Sequence, residues 1–368
     1  MVHLILCRLG LGCRNNDWFD RALALFEAVT LSSLIAQTNQ DFHFIVLVDK
    51  SANLASRILP LIADHKNFHL VEADLSSQEM AQMGGHNWMY RACHDYIFGH
   101  LLIEDPSEYI ITSTIDADDA LNTTFVARVN EAAAERVADL KRKEAGRGSH
   151  LSHSAGLGIT FENGLVYYAT SDRYKRRTLA FSSLSVSIVA RASTGISAWS
   201  CRHLAWPHML EILGFDTLRL ENSVPMWLYV RHPWAVTASD ANDADVIGPD
   251  LDLKSLFGVD VEKLHGFLNR FDLGDDRQLF SGGMFVGDQF SRIYQMMGLT
   301  TQISAIEKRL SCEALPVNER QRLCDLLSKQ RNRLRETNRE FQVVGLEKYG
   351  GAINRDLPPP SYTSDPDF

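Results

Sequence analysis

Cysteine is scarce in this 368-residue chain, and its six cysteines form neither a CxxC pair nor the spacing of a zinc site. The sequence therefore predicts reduced thiols in a cytoplasmic protein rather than a disulfide framework. Basic residues are also in deficit, with 37 Lys and Arg against 46 Asp and Glu and a net charge of -9. Because nucleic acids are bound by basic faces, this balance argues against a nucleic-acid partner.

Long hydrophobic runs are missing as well. No stretch reaches the roughly 18 apolar residues that a membrane-spanning helix needs, so the sequence predicts no transmembrane segment. The first residues, MVHLILCRLG, carry no basic residue ahead of a short apolar run, and a buried strand explains them better than a signal peptide. The length suits two domains, or one large domain with an appendage.

The first 143 residues contain an alternation of strand-like and helix-like segments. In an alternating order of this kind, the strands pair in parallel and the helices cover the faces of the sheet. The sequence therefore predicts an α/β fold with a mostly parallel sheet flanked by helices. The predicted strands are 2–7, 42–49, 68–73 and 109–115, and the predicted helices are 20–37, 53–64, 87–102 and 122–143.

The second half has a different character and predicts a mixed arrangement. GITFENGLVYYA (158–169) predicts a β-hairpin with its turn at Asn163-Gly164. LSVSIVAR (184–191) and PMWLYVRH (225–232) predict two further strands.

The C-terminal third is predicted to be helical and then disordered. Residues 300–342 contain two charged amphipathic segments that meet near Pro316, which predicts a helical hairpin and a surface for pairing between copies of the chain. LPPPSYTSDPDF predicts a disordered tail. The predicted division is a core domain at 1–250, a helical C-terminal extension at 251–345 and a tail at 346–368.

Three carboxylates follow the predicted fourth strand in YIITSTIDADDALN, at Asp116, Asp118 and Asp119. Like charges placed this close raise each other's pKa, and a divalent cation would remove the repulsion. Ligands collect at the carboxyl ends of parallel strands, so the Asp-x-Asp pair predicts a site for Mn²⁺ or Mg²⁺. The simpler interpretation is an Asp-rich turn, in which Asp119 or Asn122 caps the next helix.

ALFEAVTLSSLIAQTNQDFHFIVLVD and IDADDALNTTFVARV resemble the putative rhamnosyltransferase family, over roughly residues 14–235. The resemblance implies a bacterial glycosyltransferase with a GT-A-like core at 1–250, a nucleotide-diphosphate sugar as donor and a divalent metal. It implies that Asp116 and Asp118 are the metal-binding carboxylates and that Asp119 is the acidic residue that follows them. Thr114 stands where the family usually has arginine, and this departure leaves open a catalytically silent binding or scaffold protein.

Other candidates for the donor site come from neighbouring segments. Asp49 ends the strand FHFIVLVD at the same predicted edge, where a carboxylate can accept hydrogen bonds from a ribose or a base. Arg8 follows the first strand, and Arg91 lies on the helix before the aspartate strand, where it can reach a phosphate. His232, after PMWLYVR, is a candidate third metal ligand. The alternatives for that ligand are His203 and His208.

The acceptor side is less defined by the sequence. DRYKRRT (172–178) concentrates four cations in an acidic protein, which can hold an anionic acceptor or a membrane phosphate surface, or can be a solvated loop. A general base would be a carboxylate near the acceptor hydroxyl, with Asp172, Asp240 and Glu162 left open. The prediction is transfer of a sugar, rhamnose by resemblance, to a glycan, lipid-linked or other hydroxyl acceptor, by a cytoplasmic protein in peripheral contact with the inner membrane.

Overall fold

The structure of the chain is a computed structural model that contains one large and one small β-sheet with helices around them. Burial of the apolar sequence segments drives this arrangement, since nearly all residues of the central strands have no exposed surface. The described residues are 1–11, 16–73, 88–100, 103–146, 156–169, 172–200, 206–232, 251–270 and 315–348, with single residues between 299 and 311.

The large sheet has seven strands in the order β10-β6-β9-β4-β1-β2-β3. Four of them, β4, β1, β2 and β3, are mutually parallel, whereas β9 runs antiparallel to both of its neighbours. This arrangement confirms the predicted mostly parallel sheet with a mixed second half. The strands are β1 (His3–Leu9), β2 (His43–Asp49), β3 (Phe68–Ala73), β4 (Tyr109–Asp116), β6 (Leu157–Phe161), β9 (Val186–Arg191) and β10 (Asp216–Leu220).

Helices connect the parallel strands as the alternating pattern requires, and their apolar faces contribute to the cores on the sheet. A 22-residue helix follows the aspartate strand, close to its predicted range. The helices are α1 (Asn16–Leu25), α2 (Ser32–Ile35), α3 (Ala55–Ile62), α4 (Trp88–Gly99), α5 (Phe125–Gly146), α6 (Trp206–Leu213), α7 (Leu253–Phe257), α8 (Val261–Leu268) and α9 (Val317–Lys348).

The helix predicted at 20–37 differs from the observed one in its start and its regularity. It begins at Asn16, and a π-helical segment, Phe26–Leu31, separates α1 from α2. A π-helical segment widens the turn and is frequent at functional sites. Here the widened turn carries Thr30, whose hydroxyl lies 3.2 and 2.9 Å from the carbonyl oxygens of Asp116 and Asp119.

The small sheet has four strands in the order β5-β11-β7-β8, and it corrects the predicted hairpin at 158–169. The two halves of that segment, β6 and β7, lie in different sheets, and Asn163-Gly164 is the start of β7 rather than a turn. Glycine is required here for packing, because a Cβ at Gly164 would lie 2.0 Å from the Trp227 ring. The strands are β5 (Ala120–Leu121), β7 (Asn163–Tyr168), β8 (Arg173–Thr178) and β11 (Trp227–Arg231).

Helices α7 and α8 complete the core on one face of the small sheet. Leu253, Phe257 and Leu264 are fully buried in one cluster with Leu228 and Val230 of β11. Aspartates cap both helices at their N-termini, since Asp252 and Asp260 each accept a backbone N–H three residues ahead. The segment just after residue 250 is therefore packed against the strands of the small sheet.

The basic segment 172–178 and the C-terminal segment 300–342 compare differently with their predictions. DRYKRRT contains the edge strand β8, so most of this basic run is regular structure rather than a loop. The second predicted segment of the C-terminal hairpin is α9, whereas most of the first segment and residues 349–368 lie outside the described residues. Among the helices that are described, none combines the length and apolar character needed to cross a membrane.

Candidate active site

The three aspartates occupy the turn that carries the chain from the large sheet to the small sheet. Asp116 ends β4, and Ala120 begins β5 four residues later. The turn is closed by the Asp119 N–H, which donates to the Asp116 carbonyl at 3.2 Å. Thr30 in the π-helical segment holds both carbonyls from the other side, so the backbone of this turn is fixed by its neighbours.

Asp116 lies beside Arg8, as the strand register dictates. The two residues are partners in the parallel pairing of β1 and β4, and Arg8 Nε lies 3.7 Å from Asp116 Oδ1. Asp116 Oδ2 accepts a hydrogen bond from Ser183 Oγ at 3.3 Å. The Asp116 side chain remains 36% exposed, so it is held in position yet open to a ligand.

Asp118 contacts His232, a residue 114 positions further along the chain. Asp118 Oδ2 lies 2.9 Å from His232 Nε2. The His232 side chain is 4% exposed and the Asp118 side chain 32%, so the imidazole is buried behind an accessible carboxylate. The structure therefore joins the predicted aspartate and the predicted histidine at the point where β11 ends.

Asp119 has a different environment from the other two acids. It is 2% exposed, and its Oδ1 accepts the Val230 N–H of β11 at 2.8 Å. Burial raises the pKa of Asp119 well above its ordinary value, and the nearby charges of Asp118 and Asp116 add to this rise. Asp119 thus connects the turn to the small sheet, which explains its position without a helix-capping role.

A pair of hydroxyl side chains that sequence reasoning missed also lines this site. Tyr229 Oη lies 2.7 Å from Ser183 Oγ and accepts the Ser183 N–H at 3.0 Å. Burial raises the pKa of Tyr229 to about 12, so its hydroxyl stays protonated. The Thr114 hydroxyl donates to the Ser183 carbonyl, so Thr114 anchors the same segment. No sequence motif indicates these contacts.

The remaining donor-site candidates have different outcomes. Asp49 ends β2 at the same edge of the sheet and is 1% exposed, so it lies beneath the surface. Arg91 belongs to α4, but its side chain lies outside the described residues, as does that of His208. His203 and Asp240 also lie outside them.

The donor atoms at this site suit a hard divalent cation. Carboxylate oxygen and imidazole nitrogen are common ligands of Mn²⁺, and such ions keep open positions for waters and phosphates. Asp116 faces Arg8 while Asp118 faces His232. Accordingly, the described part of the chain holds no preformed group of three or more metal-ligating side chains. The protein would supply at most two or three of the side chains that bind the ion. Phosphate oxygens of a bound molecule would complete the coordination shell.

A family comparison identifies the class of the protein. A family model described as "Putative rhamnosyl transferase" matches residues 14–244, more than half of the chain. The protein is therefore a glycosyltransferase by class. It belongs to the putative rhamnosyl transferase family, which confirms the resemblance found in the sequence. No protein of curated function matches the sequence.

Solved structures with some likeness include those of TarS from S. aureus. TarS 1–349 is 11% identical with a TM-score of 0.33, over 94% of this chain and 92% of that chain. Its complex with UDP-GlcNAc is 11% identical with a TM-score of 0.35, over 94% and 91%. Its complex with UDP is 12% identical with a TM-score of 0.34, over 97% and 94%.

Proposed function

We propose that this protein transfers a sugar from a nucleotide-diphosphate donor to a hydroxyl of a glycan or lipid-linked acceptor, with assistance from Mn²⁺ or Mg²⁺. The observation that carries the proposal is the contact between Asp118 and His232, next to Asp116, at the carboxyl edge of the large sheet. The proposed sugar is rhamnose, on the strength of the family description alone.

Each residue of the site has a proposed task. Asp116, Asp118 and His232 would hold the cation, which when bound neutralises negative charge on the diphosphate leaving group. Arg8, 41% exposed beside Asp116, would add a guanidinium to the same phosphates. Asp49, which is buried, would support the nucleotide-binding edge from within the sheet.

The acceptor is proposed to be anionic. In the register of the small sheet, Arg173, Lys175 and Arg177 of β8 alternate onto one face, which also carries Arg231 of β11. Four cations on one face of a protein with net charge -9 favour a phosphate-bearing acceptor or membrane headgroups. The same proposal includes a peripheral contact with the inner membrane. It also includes pairing of copies of the chain through residues 300–342 and a boundary between the core domain and the C-terminal extension near residue 250.

The test is release of nucleotide from a panel of UDP-, GDP- and dTDP-sugars, including dTDP-rhamnose, in the presence of Mn²⁺. One donor should give metal-dependent release, and Asp118→Asn should reduce it by about 100-fold or more, since removal of one electrostatic stabiliser costs this much. Asp105→Asn is the matched control, because Asp105 is an exposed aspartate just before the opposite end of β4. Full metal-dependent turnover by Asp118→Asn would refute the site.

A catalytically silent relative is the second candidate, and Thr114 favours it. The hydroxyl of Thr114 is engaged with the Ser183 carbonyl, and it cannot replace the charge of the arginine that the family has at this position. A silent scaffold would give neither nucleotide release nor a higher melting temperature when nucleotide and Mn²⁺ are added together. Binding without release from any donor would indicate a protein that has kept the site and lost the reaction.

A further inference from the structure

Asp172 forms a cluster of three titratable side chains with Tyr167 and His265. Tyr167 Oη donates to Asp172 Oδ1 at 3.0 Å and lies 3.0 Å from His265 Nε2. His265 Nε2 lies 3.4 Å from the same Asp172 Oδ1. The three residues come from β7, from the residue before β8 and from α8, so the cluster joins the small sheet to the helix that covers it.

The cluster lies at the same edge of the small sheet as His232. Strands β7 and β11 are parallel, and the Ala169 N–H donates to the Arg231 carbonyl at 2.8 Å, which extends their ladder to the strand ends. Asp172 immediately precedes β8, whose Arg173 pairs with Tyr168. Two strand spacings of about 4.8 Å therefore separate Asp172 from the end of β11, or roughly 10 Å. A sugar ring and a phosphate fit in such an interval.

Among the described residues, other carboxylates are less well placed for the acceptor. Glu162 comes just before β7, so it lies at the opposite end of that strand from Asp172. Its carboxylate is paired with Arg219 at 3.2 Å. Residues 173–210 contain no aspartate or glutamate, so β8, β9 and the start of α6 supply none. Asp172 is also half exposed, and its φ of 49° is a left-handed conformation that few residues other than glycine adopt.

We propose that Asp172 is the general base of the transfer, a role that rests on the proposed function. The acceptor hydroxyl would give its proton to Asp172 Oδ2 while its oxygen bonds to the anomeric carbon of the sugar. The bond from that carbon to the diphosphate oxygen would break, and its electron pair would leave with the nucleoside diphosphate. This assignment predicts inversion at the anomeric carbon.

Tyr167 and His265 are positioning residues in this scheme. Both contact Oδ1, which leaves Oδ2 as the oxygen assigned to the acceptor. Burial, followed by the charge of Asp172, raises the pKa of Tyr167, so the phenol remains a donor to the carboxylate. Within the described residues, the titratable groups that face Asp172 are Tyr167 and Tyr174 from the sheet and His265 from α8.

The test compares Asp172→Asn with Glu162→Gln, using the sugar nucleotide that gives the greatest nucleotide release with Mn²⁺. We expect Asp172→Asn to lower kcat by about 100-fold or more, as loss of a general base does, with unchanged binding of Mn²⁺ and of the nucleoside diphosphate released from that donor. Glu162→Gln should retain wild-type kcat. Tyr167→Phe should lower kcat by about 10-fold and leave the KM of the donor unchanged, because Asp172 loses the hydroxyl that orients it. A merely structural cluster would leave kcat at the wild-type value.

Azide provides the second measurement. It attacks the anomeric carbon without having a proton to lose, so it should restore nucleotide release to Asp172→Asn but not to Asp118→Asn. Normal kcat in Asp172→Asn, or no rescue by azide in a variant that still binds Mn²⁺ and the nucleoside diphosphate of that donor, would overturn the role of Asp172. Absence of release by the wild-type protein from every donor would instead overturn the proposed function.

Discussion

Replacement of Asp119 separates its structural role from that of the two exposed aspartates. Asp119 is buried, and its Oδ1 accepts the Val230 N–H at 2.8 Å. Asp119→Asn keeps an oxygen in this position and removes a buried ionisable group, whereas Asp119→Ala leaves the Val230 N–H without its acceptor. A buried donor that loses its partner costs about 1–3 kcal/mol, so Asp119→Ala should be destabilised by this amount.

The asparagine variant should behave in the opposite way. Because the pKa of Asp119 is raised in the folded state, its contribution to stability is present below its ordinary value of 3.8 and is lost as pH rises through the folded-state pKa. At neutral pH ionisation of this carboxyl is easier in the unfolded chain than in the folded protein, so Asp119 opposes folding there. Asp119→Asn should equal or exceed the wild-type stability there, and its advantage should vanish in acid.

Urea denaturation in the presence of a chelator measures both effects. The two variants should bracket the wild-type protein, with the alanine variant about 1–3 kcal/mol below it and the asparagine variant level with it or above. Asp119→Asn should also retain metal-dependent nucleotide release, in contrast to Asp118→Asn. Equal and large losses of activity in Asp118→Asn and Asp119→Asn would refute the division of roles within the motif.

Three other predictions concern the packing of the two sheets and the support of the site. Gly164→Ala should lower the free energy of unfolding by about 3 kcal/mol, because its Cβ would lie 2.0 Å from the fully buried Trp227 ring. A wild-type midpoint in thermal or urea unfolding would contradict this packing. Burial lowers the pKa of His3 from 6.5 to about 4, so the free energy of unfolding of the wild-type protein should fall by about 3 kcal/mol as pH drops from 6.5 to about 4. Urea titrations of His3→Gln should show a smaller fall over the same pH range. A fall as large as that of the wild-type protein would contradict the role of His3. Tyr229→Phe removes the hydroxyl that holds Ser183, so calorimetry should give about 10-fold weaker Mn²⁺ binding, and unchanged affinity would exclude this support.

The sequence was sufficient to predict the parallel half of the fold and the edge at which the acids lie. Alternation of apolar strands with amphipathic helices leaves few possible sheet topologies. In a parallel sheet of this kind, the strands that end in Asp49 and Asp116 finish at the same edge. The strand register then explains why Arg8 lies beside Asp116. These features depend on local patterns that are visible in one chain.

Features that depend on long-range packing were not predictable. Asn163-Gly164 has the composition of a hairpin turn, but the glycine is needed for the Trp227 ring, which comes from a strand more than sixty residues later. The motif itself does not tell which of its aspartates is buried, because that depends on the Val230 N–H of the small sheet. The contact of Ser183 with Tyr229 likewise joins two segments with no shared motif.

The central claim is that Asp116, Asp118 and His232 hold a divalent cation together with a nucleotide diphosphate. Its most direct measurement is the melting temperature with Mn²⁺ and each of UDP, GDP and dTDP, added separately and together, for the wild-type protein and Asp118→Asn. We expect a rise that needs both additions, of the size produced by about 3 kcal/mol when the ligand is near 100 times its Kd, and no such rise in the variant. The same metal-dependent rise in Asp118→Asn would contradict the claim.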